Sequence, residues 1–390
     1  MTENPQIPAG LYIHIPFCEK KCFYCDFYSV TDRSQIPSFL AALQKEMQLA
    51  SRLSLVFDTV YIGGGTPSVL ETDDVARLIA TAFKYFRILP EAEVTMEVNP
   101  GTVTLKELTK YRHSGVNRLN IGIQSFQAEN LRFLGRIHTV DQALLSLVWA
   151  RQAGFANVGL DLIYGLPAQK QTNWLDDLAR AIDINPAHLS CYMLTRESGT
   201  PLDKEVAAGR IRLAGEETLR GLFETTIDYL TAHGFLHYEV SNFARLAETT
   251  DSPWKSRHNS KYWSLAPYIG LGPSAHSFIE PERSWNRRSV QDYMRELQAG
   301  HLPVEEKENL SREQLLMEAI YLGFRTTQGI DLAGLKQKFG IDFLKHFEGI
   351  ITDFEKDGFL KITETHCALT VQGMALLDSI TAAFTNQDIP

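Results

Sequence analysis

The chain has 390 residues, 44% of them hydrophobic, enough to bury a large core and to divide into one large unit and one small one. Its formal net charge of −9 argues against a nucleic-acid partner, because phosphate binding draws on a surplus of Lys and Arg. No stretch is long and apolar enough to span a bilayer, and the polar start MTENPQIPAG lacks the basic and apolar regions of a secretory signal, so a cytoplasmic protein without a transmembrane segment is expected.

From residue 11 to about 195, short β-branched runs alternate with amphipathic helical stretches, the pattern of βα units around a parallel sheet. Six strands are predicted: LYIHIPF, DTVYIGGG from Asp58, AEVTMEVNP from Ala92, NRLNIGIQS from Asn117, ANVGLDLIYGLP from Ala156 and HLSCYML from His188. Several are apolar on both faces, as expected where helices cover the outside and packed side chains fill the inside. Six units are too few for an eight-stranded barrel, so the α/β fold expected is a partial (β/α)6 barrel with its chemistry beyond the C-terminal strand ends.

Beyond about residue 236 the pattern is neither clean helix nor clean strand, and it holds RHNSKYW and the glycine-containing YIGLGPSAHSF. From residue 310 helices are followed by a two-stranded unit, GFLKITETHCALT, and a final helix from Val371, a winged-helix-like order. Asp and Glu outnumber Lys and Arg from Ser311 onward, which argues against a DNA reader. The expected division is a core domain at 1–236, a connecting segment at 237–309 and a mostly helical C-terminal domain at 310–390.

Three of the five cysteines fall within PFCEKKCFYCDF, which is clustering rather than a disulfide framework. Cys18, Cys22 and Cys25 on one short loop can converge on three corners of a [4Fe–4S] cube. Zinc is the alternative, but a structural zinc site closes with four ligands and the nearby His14 lies on a predicted strand. A redox pair of Cys22 and Cys25 is a third reading. Three ligands leave one iron open, and S-adenosylmethionine (SAM) can chelate there through its amino and carboxylate groups. Cys191 and Cys367 read as ordinary buried thiols.

Polar and glycine-rich signatures follow successive strands. Gly64 and Gly65 let backbone approach a ligand without a Cβ clash, and Thr66 follows them. Glu97 can meet a cationic amino group, and Gln124 can serve ribose hydroxyls. Arg136 can pair bidentately with a carboxylate, and Asp161 is an acid inside an apolar run, where burial needs a partner. Tyr24, before the last cysteine, offers a ring for the adenine face or for simple packing. Each alone also reads as a surface charge or a satisfied polar group.

The CxxxCxxC spacing with an aromatic before the last cysteine resembles the radical-SAM superfamily. YIHIPFC, GGGTPS, EVNP, NRLNIGIQSF, LGRIH, DLIYGLP and the AHS segment, over roughly residues 11 to 375, are similar to the oxygen-independent coproporphyrinogen III oxidase family. The resemblance implies a radical-SAM barrel with a C-terminal domain like that of HemN, a cluster on the three cysteines, and SAM contacts at Tyr12, Tyr24, Gly64, Gly65, Thr66, Glu97, Gln124, Arg136 and Asp161.

True oxidases of that family carry a fourth cysteine two positions after the third and a longer segment before the cluster. This chain has Phe27 there and seventeen residues before Cys18. Both departures resemble the HemW branch of haem chaperones, as does RHNSKYW. That branch implies haem as a ligand, acceptor haemoproteins and an electron donor as partners, and admits a homodimer. A neutral imidazole at His258 can ligate haem iron beside a wall of Tyr262 and Trp263. The bland alternative is a satisfied histidine among packed aromatics. His276 is a second candidate with the same two readings. A decarboxylating oxidase and a methyltransferase remain as alternative activities.

Overall fold

Period-two alternation sorts the side chains of the six predicted strands onto two chemically different faces. In the computed structural model, which describes residues 7–246 and 254–385, these are β1 Ala9–Ile15, β2 Val56–Gly64, β3 Arg87–Val98, β4 Arg118–Gln124, β5 Asn157–Tyr164 and β6 His188–Met193. Each pairs in parallel with the next, as the βα reading predicts. The outward face carries Leu11, Ile13, Val60, Ile62, Val94, Met96, Leu119, Ile121, Leu160 and Leu189, all buried in one continuous core. Helices cover it, each with one apolar stripe: Phe39, Leu43 and Met47 on Ile36–Ala50, and Trp174 and Leu178 on Gln171–Asp183. Capping boxes start two of these helices, Thr104 with Glu107 and Thr139 with Gln142.

The inward face corrects the expectation of an apolar lumen. Tyr12, His14, Thr59, Tyr61, Glu97, Arg118, Asn120, Asp161, His188 and Ser190 alternate with the outward residues. They hydrogen-bond across strands, as Tyr61 does to Glu97 and Asn120 to Asp161. One face of each strand is apolar and the other is a buried polar wall.

The segment after residue 236 also forms more regular structure than its sequence suggests. Strands β7 Phe235–Glu239 and β8 Asn242–Arg245 form a hairpin, and β8 pairs antiparallel with β6. At the other edge β9 Tyr268–Leu271 pairs in parallel with β1. Strands β10 His276–Ile279, β11 Glu282–Asn286 and β12 Val304–Asn309 follow antiparallel. The result is one twelve-stranded sheet in the order β12-β11-β10-β9-β1-β2-β3-β4-β5-β6-β8-β7.

Residues 312–385 place helices around a three-stranded sheet, one strand more than the sequence suggests. The predicted pair, β14 Leu360–Ile362 and β15 His366–Leu369, gains the two-residue β13 Ile330–Asp331 beside Cys367 and His366. Phe324, Phe343, Phe347 and Phe384 fill its core with mutual ring contacts. No helix among the described residues is long and apolar enough to cross a membrane.

Candidate functional site

The cysteine loop leaves the C-terminal end of β1 and is held at both ends. Cys18 N–H donates to the Val30 carbonyl at 3.0 Å, and Val30 N–H returns to the Pro16 carbonyl at 2.7 Å. Its middle docks where Phe23 N–H meets the Leu134 carbonyl, while Phe23 and Tyr24 pack against Leu134, Ile163, Leu166, Leu194 and Leu202. Tyr24 therefore anchors the loop as well as offering a ring to a ligand.

All three thiols are free, Cys18 buried and the other two half-buried. The Thr66 hydroxyl donates to Cys18 Sγ at 3.4 Å, and the Arg136 guanidinium reaches Cys22 Sγ at 3.5 Å. Burial pushes the Cys25 thiol up to about 11. A Cβ at Gly65 would lie 2.7 Å from the Phe17 carbonyl and 3.1 Å from Cys18 Sγ, so the loop closes over this position only because the residue is glycine.

Among the described residues no three His, Cys, Asp or Glu side chains converge closely enough for a single metal ion. A cube of four irons holds its thiolates on separate corners, and this donor set suits it. Cys191 on β6 and Cys367 on β15 are buried outside this loop, so they supply no fourth ligand.

The other sequence-derived positions gather along the same strand ends. Glu97 accepts from the Tyr61 hydroxyl at 2.8 Å and from Gly64 N–H at 3.1 Å, yet burial raises its carboxyl to about 7. Gly64 adopts φ +109°, a conformation costly for any side chain. Gln124, buried, adopts φ +69°, strain of the kind found where a backbone is held for a ligand. The Arg136 guanidinium donates to the Gly122 carbonyl at 2.8 Å, and a Cβ on that glycine would lie 2.9 Å from Gln124 Nε2 and 3.2 Å from Arg136 Nη2, so both side chains close over it. Asp161 accepts from the Asn120 amide at 2.7 Å, its second oxygen lacks a hydrogen-bond partner among the described residues, and burial raises its pKa. Tyr12 lies deeper, its hydroxyl 3.0 Å from His14 Nδ1 and its ring 6.1 Å from that of Tyr61.

HNSKYW is not part of this gathering. It forms the helix Arg257–Trp263 beneath the opposite, N-terminal strand ends. The amides of Arg257 and His258 donate to Glu93, and Lys261 pairs with Asp58 at 2.6 Å and donates to the Pro8 carbonyl. The His258 ring, 1% exposed, sits inside the barrel floor. Its Nδ1 is 2.9 Å from the Thr59 hydroxyl and its Nε2 2.9 Å from the Tyr262 hydroxyl, and it stacks on Tyr61 at 5.1 Å. Burial lowers its pKa to about 3, so it is neutral. In this arrangement both ring nitrogens already have hydroxyl partners. Trp263 packs under the Arg325 guanidinium at 4.3 Å.

Sequence reasoning passed over the lower lumen. Arg118 is 1% exposed and His188 fully buried, with Arg118 Nε and His188 Nδ1 lacking hydrogen-bond partners among the described residues. The available signal was the i, i+2 spacing of Arg118 and Asn120 in NRLNIGIQ, which turns both side chains to one face.

The Radical SAM superfamily model matches residues 12–181, and the HemN C-terminal domain model matches residues 310–376. Heme chaperone HemW of Bacillus subtilis is 31% identical over 96% of this chain and 98% of its own. Heme chaperone HemW of Escherichia coli is 37% identical over 70% of each chain. The mitochondrial radical S-adenosyl methionine domain-containing protein 1 of Danio rerio is 33% identical over 96% of this chain and 86% of its own. The solved structure of coproporphyrinogen III oxidase HemN from Escherichia coli, a radical SAM enzyme, aligns with a TM-score of 0.83 over 99% of this chain and 92% of that one. At 24% identity that likeness is one of fold.

Proposed function

The chain belongs to the family of heme chaperone HemW, and from that premise we propose that it binds haem and hands it to acceptor haemoproteins, on a core carrying a [4Fe–4S] cluster and SAM. Cys18, Cys22 and Cys25 hold the cluster in this reading. When bound, such a cluster supplies one electron at low potential to the sulfonium of SAM. Glu97 receives the ammonium of SAM's methionine portion, and Arg136 offers a guanidinium to its carboxylate. Gly64 and Gly65 present backbone along the same portion, with the Thr66 hydroxyl beside Cys18. Gln124 and Asp161 hold ribose hydroxyls, while the rings of Tyr12 and Tyr24 exclude water around the adenosine.

The observation that favours haem handling over decarboxylation lies at position 27. Phe27 stands where the oxidases carry a fourth cysteine, and its side chain is 67% exposed on the cluster loop. The cluster loop therefore offers no fourth thiol at the position that sets the oxidases apart. The decisive experiment is anaerobic reconstitution of the full chain, followed by haem titration and by transfer of the bound haem to an apo-haemoprotein, both read by absorbance. Transfer without turnover of coproporphyrinogen III is the expected result. Decarboxylation of coproporphyrinogen III, or failure to bind haem, overturns the proposal.

A further inference from the structure

The strand β4 ends on an irregularity. Its pairing with β5 slips between Gly122 and Gln124, a bulge of the kind that re-aims a side chain, and Gln124 itself adopts φ +69°. A glutamine in the left-handed region is strained, and it keeps that conformation only where its surroundings over-determine it.

Side chains from elsewhere in the chain supply those surroundings. Before Gln124, Arg136 donates to the Gly122 carbonyl at 2.8 Å, and the His138 ring donates through Nε2 to the Ile123 carbonyl at 3.1 Å. After it, the helix Gln171–Asp183 takes over. Asp177 accepts from the Ser125 hydroxyl at 2.6 Å and from Phe126 N–H at 2.8 Å, and Arg180 donates to the Phe126 carbonyl at 3.1 Å.

Asp177 is fully buried on the same stripe as Trp174 and Leu178, where a carboxylate is costly unless it is partnered. Its two partners are the residues directly after Gln124. The Ser125 hydroxyl, also fully buried, has a fixed direction: its oxygen accepts from Gln127 N–H at 3.1 Å and from the Asn130 amide at 3.0 Å, so its own hydrogen goes to Asp177. Asp177 therefore faces two donors. An asparagine there keeps one acceptor oxygen and turns an amide towards the second donor.

We infer that Asp177 is a positioning residue: it fixes the turn at Ser125 and Phe126 and thereby aims the Gln124 amide at the ribose hydroxyls of SAM. This rests on the SAM reading of the preceding subsection, in which Gln124 meets the ribose. Asp177 stands in the outer helical layer and acts through Gln124.

The test is calorimetric titration of the anaerobically reconstituted full chain with SAM and with its 2′,3′-dideoxyribose analogue. Wild type, Gln124→Ala, Asp177→Asn, Ser125→Ala and the double variant of Gln124→Ala with Asp177→Asn are compared. The two ligands share their methionine and adenine portions, so the ratio of their affinities reports the ribose hydroxyls. Measured on one preparation, that ratio does not depend on the fraction of chain that is folded. Wild type should favour SAM, and Gln124→Ala, Asp177→Asn and Ser125→Ala should each cut the preference about threefold or more. The double variant should lose no more preference than Gln124→Ala alone. A preference lost in Gln124→Ala but kept in Asp177→Asn overturns the inference while the ribose reading stands. So does an equal loss of affinity for both ligands in Asp177→Asn, which marks a structural role, or a double variant whose loss is the product of the single losses. A preference absent from wild type, or unchanged in Gln124→Ala, overturns the ribose reading and the inference with it. If Asp177→Asn yields no folded chain, Ser125→Ala, which removes one of the two donors, decides by the same ratio.

Discussion

Glu97 is a carboxylate whose neighbours disagree about its charge. Burial holds its pKa near 7 against an ordinary 4.5, although Tyr61 and Gly64 both donate to it. A carboxyl raised in the folded state binds its proton more tightly than the unfolded chain does. Its contribution to stability is fully present below about 4.5 and is lost as pH rises through about 7. An ammonium ligand reverses the preference, because it pairs only with the ionised form. SAM affinity should therefore climb with pH up to about 7, by at most about tenfold per pH unit, and level off above it. Calorimetry in buffers of different ionisation enthalpy should show a proton released on binding below pH 7, and Glu97→Gln should abolish both release and slope. Gly65 makes a steric prediction at the same scale. In Gly65→Ala the new Cβ meets the Phe17 carbonyl and Cys18 Sγ, so the loop must shift. The cost should be about 1–3 kcal/mol of stability, and iron and sulfide per chain after reconstitution should fall. Both residues were legible in the sequence because each sits at a strand end whose chemistry is local. Arg118 and His188 were not, because a polar residue within a buried strand has no local signature beyond its alternation.

At the scale of elements, the helix Arg257–Trp263 shows where local reading fails. Its composition, a histidine among aromatics, is that of a ligand pocket as much as of a core. What decides between them is contact with Thr59, Asp58 and Glu93, residues more than 160 positions earlier, and no window of sequence contains both sides. The helix closes the barrel floor, with Ser256 capping its start through Asn259 N–H. His258→Ala removes a buried ring and strands the hydroxyls of Thr59 and Tyr262. The expected loss is about 2–4 kcal/mol, read as a lower denaturation midpoint at unchanged m-value. Any loss of haem in that variant should then track its loss of stability. The strands β9 to β12 were missed for a different reason. They are four to six residues long, β9 and β10 too short to show a period and β11 and β12 mostly polar with Arg283, Glu306 and Lys307, so they lack the alternation that marked β1 to β6.

Across the whole molecule, one arginine joins the floor helix, the β7–β8 hairpin and the C-terminal helices. Arg325 follows the helix Arg312–Phe324, lies over Trp263 at 4.3 Å and pairs with Glu239 at 3.4 Å, while its carbonyl accepts from Val240 N–H. Glu239 is fully buried, and burial raises its pKa despite Arg325, Asn242 and the Ser241 amide. Removing the arginine leaves a buried carboxylate without its counter-charge, a change that costs more than the pair itself contributes. Because Arg325 is 21% exposed, Arg325→Ala should lose about 3 kcal/mol, the low end for a broken buried pair. The deficit should depend on pH in a definite direction. A carboxyl already raised by burial rises further without Arg325, so keeping it ionised in the folded chain costs the variant more than it costs the wild type. The variant should therefore fall furthest below wild type at neutral and alkaline pH and approach it as the pH drops into the ordinary carboxylate range. Melting curves at several pH values, with Glu239→Gln combined with Arg325→Ala, test this directly. The double variant should lose the pH dependence, because a neutral amide in that position needs no counter-charge. If the deficit is flat with pH, Arg325 acts by packing on Trp263 alone, and Glu239 is not what ties the C-terminal helices to the barrel.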